Sequence, residues 1–79
     1  MPRYFFHSRD GVSHHDDTGI ELPDLNSAGV EAVRYMSELL RDESADVWRS
    51  GELELAIADE AGAELCVLTI AKRETAASG

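Results

Sequence analysis

The chain has 79 residues and a mass of 8.6 kDa, which is enough for one small domain. Seven Lys plus Arg against sixteen Asp plus Glu leave a formal net charge of -9, a balance that argues against a nucleic-acid partner and against docking on an anionic membrane. The single cysteine excludes an intrachain disulfide, no apolar run approaches the length of a membrane helix, and the cytoplasm is the expected location.

Tyr4-Phe5-Phe6 is short and aromatic, and Asp10-Gly11 behind it is a strong turn signal. A strand over residues 3–9 therefore turns into a second, poorly hydrophobic strand around residues 12–15. Alternation sends Tyr4 and Phe6 to the core and Phe5 and His7 to the opposite face. Asp16-Asp17-Thr18-Gly19 reads as another turn, with Ile20-Glu21-Leu22 as a brief return to the sheet before Pro23.

From Asp24 the period changes. Leu25, Ala28, Ala32, Met36 and Leu39 form an apolar stripe at helical spacing, widened by Gly29, Val33 and Leu40. Asp24 is the expected N-cap, with Asn26 as its rival. The helix should weaken after Arg41, where Asp42-Glu43-Ser44 sets negative charge against the helix dipole, and stop at Arg49-Ser50-Gly51. Trp48 is expected to plug the end of the sheet. Glu52 to Asp59 alternates cleanly, with Leu53, Leu55 and Ile57 facing the core and Ala56 and Ala58 facing away. Asp59-Glu60-Ala61-Gly62-Ala63 turns the chain into a last strand, Glu64 to Ala71, in which Cys66 reads as a small core residue. The sum is an α+β domain over residues 1–71, a small antiparallel sheet on one long helix in ββαββ order, followed by a flexible tail at 72–79.

Met1-Pro2-Arg3-Tyr4-Phe5-Phe6-His7, Asp10-Gly11, Asp17-Thr18-Gly19-Ile20-Glu21-Leu22-Pro23-Asp24 and the hairpin turn Asp59-Glu60-Ala61-Gly62 occur in that order. Together they resemble a family of small uncharacterised bacterial domains, known from soil and plant-associated bacteria, across about residues 1–70. The resemblance implies an identity without a reaction. Ala63-Glu64 departs from the Arg and hydrophobic residue that relatives carry after this turn.

Imidazoles and carboxylates crowd the first hairpin, so His7, His14 and Asp16 are the residues that a metal site would use. His14 and His15 alternate across a strand, so only one of them joins His7, and three ligands fall short of a closed tetrahedral site. The expected state is therefore no metal and no cofactor, with these side chains in solvent. The Asp16 to Glu21 segment lacks the ligand register of a calcium loop. Ser8, His7 and Asp10 have the residue types of a nucleophile, base and orienter, but neighbours in sequence do not create the required geometry. No phosphate-binding glycine pattern or nucleophile elbow is present, and the chain is not expected to be an enzyme.

Burial available to so short a chain roughly cancels its ordering cost, which favours association. Phe5 on the outer face, the flat Ala56 and Ala58, and Leu68 and Ile70 on a last strand that is apolar on both faces predict a homodimer that buries part of the outer sheet face around these five residues. The alternatives are a regulatory accessory domain that binds a different protein, then a metal-binding protein or a small hydrolase.

Overall fold

A computed structural model describes residues 1–76 of the chain. Arg3–Arg9 forms β1, and its alternation is realised as expected: Tyr4, Phe6 and Ser8 are buried, while the residues between them are half-buried. Two very short strands then pair antiparallel with the same side of β1. β2 (Ser13–His14) covers its C-terminal end, Ser8 opposite His14, and β3 (Ile20–Glu21) covers its N-terminal end, Arg3 opposite Glu21. After the helical region come β4 (Glu52–Ala58), paired antiparallel with the free side of β1, and β5 (Glu64–Ala71), paired antiparallel with β4. The sheet order is β2-β1-β4-β5, with β3 also on β1.

The α+β class stands, and the ββαββ order gains a third short strand and a second short helix. The long helix α1 (Leu25–Asp42) starts where the cap was expected, with the Asp24 carboxylate accepting from the Ser27 N–H at 2.8 Å. It buries Ala28, Ala32 and Met36 against Tyr4, Phe6, Leu53, Leu55 and Ile57. The chain breaks at Glu43, as the acidic C-terminal turn suggested, and resumes as α2 (Ser44–Ser50). Gly51 ends α2 at φ 83, a left-handed conformation that costs glycine little.

Three assignments of exposure are corrected. Leu25 is 42% exposed and Trp48 is 68% exposed, so neither is part of the core; α1 begins outside the sheet's footprint, and α2 runs along the end of the sheet with its indole outward. Cys66 is exposed too. It faces the same side as its register partner Ile57, but α1 lies over β1 and β4, and on that side of β5 Leu68 packs against the core while Cys66 and Ile70 stay exposed. Of the tail, Lys72 is anchored, its N–H donating to the Gly51 carbonyl at 2.8 Å. Residues 77–79 of the expected flexible segment lie outside the described residues.

Candidate functional site

The proposed histidine set does not converge. His7 stands on the outer face opposite Ala56, while His14 is paired with Ser8, whose side chain is buried on the helix side. His7 Nδ1 instead accepts from the Asp16 N–H at 3.0 Å, and its ring stacks on His15 at 4.2 Å between centroids. Both Asp16 oxygens are already engaged. Oδ1 accepts from the N–H groups of Thr18 and Gly19, and Oδ2 accepts from the Phe6 N–H at 3.1 Å. Phe6 lies between the stretches of β1 paired with β2 and with β3, so one carboxylate takes the place of the missing strand. Burial pushes this carboxyl upward, but the three amide donors outweigh it and hold it below the ordinary carboxylate range. Gly19 completes the loop at φ 72, where a Cβ would meet Arg3, the Phe5 ring and the Tyr4 carbonyl at 2.9 Å. Ser8, His7 and Asp10 are likewise dispersed over the inner face, the outer face and a turn, so the nucleophile-base-orienter set is not assembled.

The expected interface residues divide in two. Ala56 and Ala58 are 0% and 1% exposed and have no surface to offer. Their register neighbours His7, Val67 and Phe5 carry larger side chains, which close over them from the flanking strands. Arg9 spans the same face, bonded to Glu54 and to Glu64 at 3.2 Å each, and the Glu64 contact is the main cause that raises its guanidinium above its ordinary range. Phe5 is half-buried beside Gly19. By register, Leu68 and Ile70 lie instead on the helix side, opposite Leu55 and Leu53.

There Leu68 packs against the core, while Ile70 is left partly exposed. β5 is an edge strand of eight residues, and Leu65, Val67 and Ile70 are about two-fifths exposed. Between Leu65 and Ala71 it contains no charge and no proline, two of the devices that keep a sheet edge from pairing, and its one register shift against β4 lies at the Glu64 end, between the pairs of Ile57 and Ala58. The opposite edge of the sheet is made of two-residue strands. Beside β5, a groove of about 330 Å³ runs between Leu40, Val47 and Trp48 on the helices and Ile70 and Ala71 on the strand. Helical spacing places Gly29 and the exposed Val33 on the same flank of α1 as Leu40. Lys72 closes the groove's end, with Nζ 4.3 Å from the Trp48 ring centroid and 2.9 Å from the Trp48 carbonyl. Trp48 and Val33 were not legible as surface residues, because their exposure depends on where the helices lie across the sheet.

Charge along this edge is ordered. Asp59, Glu60 and Glu64 precede its apolar stretch, and Lys72 and Arg73 follow it. Among the described residues no helix is long and apolar enough to cross a membrane.

Residues 3–71 match a domain of unknown function, DUF6894. No curated protein and no solved structure matches the chain.

Proposed function

We propose that this chain, which belongs to the DUF6894 family, is a non-catalytic self-association module in which a second copy docks antiparallel on β5. The free β5 edge carries the reading. In a strand paired on one side, alternate backbone N–H and C=O groups point outward and accept a further strand. Antiparallel self-pairing sets the acidic start of one β5 against the basic end of the other. Of the two-fold arrangements, the one centred on Leu68 places Glu64 opposite the partner's Lys72 and Cys66 opposite the partner's Ile70, while Leu68 meets its own copy. All of these pairs keep the two helix layers on one side of a continuous sheet.

Area supports the same occupant. The chain exposes 5340 Å², roughly 600 Å² beyond the surface usual for a compact monomer of this mass. Exposed ends such as Met1 account for part of that excess and β5 for another part. A standard dimer takes roughly 600–1,000 Å² from each partner. The net charge opposes association, so the apolar strand must outweigh it and added salt strengthens the dimer. A free, exposed cysteine suits a reducing compartment, and with the bacterial resemblance it supports a cytoplasmic bacterial protein.

Sedimentation equilibrium at micromolar concentration is expected to give about twice 8.6 kDa for the wild type. Ile70→Lys should return the mass to that of one chain although it lowers the net negative charge. Val30→Lys, at a residue 54% exposed on another face of α1, should leave the dimer intact. A wild type that stays monomeric to about 100 μM, above the affinity that interfaces of this size ordinarily provide, contradicts the proposal.

A further inference from the structure

Asp10, His14 and Glu43 come from three separate elements: the β1–β2 turn, β2, and the junction of α1 with α2. One ligand atom from each lies within 4.8 Å of the other two. We propose that these three side chains form a binding site for a borderline divalent metal ion of the zinc type.

The donor set is one imidazole nitrogen and two carboxylate oxygens, which zinc accepts readily and which leaves a fourth position for water. Ligand atoms of a tetrahedral zinc stand about 3.3–3.5 Å apart, given bonds of roughly 2.0–2.1 Å. Small rotations of three surface-accessible side chains bring the cluster to that spacing. Geometry alone would leave the two carboxyl groups repelling each other. Among the described residues neither forms an ion pair with a lysine or arginine, and Arg49, which lines the same groove, is committed to Asp46 at 2.9 Å. A divalent cation bound between the two carboxyl groups relieves that repulsion.

Two further features suit the site. Ser8, the register partner of His14 on the same side of the sheet, is 2% exposed, and among the described residues its hydroxyl has no hydrogen-bond partner; cross-strand neighbours of this kind have Cβ atoms about 4.5–5.5 Å apart. A groove of about 530 Å³, lined by the three ligands with Asp46 and Arg49, opens the cluster to solvent. The earlier expectation of no metal was weighed on His7, His14 and Asp16, a set that the fold separates. The pairing of His14 with a glutamate from a helix junction has no signature in local sequence.

The test is calorimetric titration of the untagged protein with zinc chloride, in a Cys66→Ser background so that the exposed thiol contributes nothing. One zinc per chain is expected, with a dissociation constant of about 1–10 μM, in the range of a three-ligand, solvent-accessible site. His14→Ala and Glu43→Gln should each weaken binding at least about tenfold, and His7→Ala should leave it unchanged. Circular dichroism of the apo variants separates loss of the site from loss of the fold. No binding by the folded parent, binding that survives His14→Ala, or binding that His7→Ala abolishes overturns the proposal.

Discussion

Met36→Asp is expected to unfold the domain. The Met36 side chain is 6% exposed and belongs to the core cluster that also contains Ala32, Tyr4, Phe6 and Leu55. A carboxylate placed there loses its hydration without gaining a cation, and the methionine's apolar contacts disappear with it. The combined cost is at least about 4–5 kcal/mol, against a whole stability of roughly 4–12 kcal/mol for a chain of this size, at about 0.05–0.15 kcal/mol per residue. Val30→Asp, on a helix position 54% exposed, should cost less than about 1 kcal/mol. Urea titration followed by circular dichroism compares the two. A native-like midpoint for Met36→Asp would mean that α1 presents a different face to the sheet.

Asp16→Ala is expected to have the next largest effect, although Asp16 is in a loop. Its carboxylate satisfies three backbone N–H groups, those of Phe6, Thr18 and Gly19, and alanine leaves all three without that acceptor. At about 1 kcal/mol or more for each charge-assisted bond, the loss comes to about 3 kcal/mol. Asp16→Asn keeps one acceptor oxygen and should lose about half as much. Because the folded carboxyl is held below its ordinary value, its stabilising contribution is complete above the unfolded pKa, about 3.9, and is lost as pH falls through the lower, folded value. The wild type should therefore lose this increment in acid, and Asp16→Ala should show a flatter dependence below about pH 4. Denaturant titrations at pH 7 and pH 3 check both parts. Equal acid sensitivity in the two proteins would remove Asp16 from its structural role.

These two residues mark the division between what the sequence showed and what it concealed. Met36 was legible because Ala28, Ala32 and Met36 repeat at helical spacing and Asp24 caps the turn before them. The β4–β5 hairpin was legible for a similar local reason, the alternation of Leu53, Leu55 and Ile57. Asp16 was assigned to a turn, but its role as a stand-in for a strand depends on a contact with Phe6 that only the folded chain makes. The same limit applied to the surface. Periodicity placed Cys66 among inward-facing residues, correctly by register, and Leu68 and Ile70 on the outer face, where the register puts them on the helix side instead; whether an inward position is buried then depends on how far one helix reaches. Here α1 covers β1 and β4 and stops short of β5. Ala56 and Ala58 show the converse: they face away from the helix and are nevertheless buried, because larger neighbours on both flanking strands close over them.

The uncovered strand that results is the basis of the proposed dimer, and its register admits a direct test. With Leu68 on the two-fold axis, Cβ atoms of the two copies of residue 68 should lie about 4.5–5.5 Å apart, near disulfide reach. Residue 65 should be about 20 Å from its own copy, six residues along the strand from residue 71 to which it is opposed. Leu68→Cys and Leu65→Cys, each in a Cys66→Ser background, are oxidised at micromolar concentration and resolved under non-reducing conditions. The account predicts rapid formation of a covalent dimer by Leu68→Cys and little by Leu65→Cys. A Leu68→Cys protein that stays monomeric, or that cross-links no faster than Leu65→Cys, would contradict antiparallel self-association through β5.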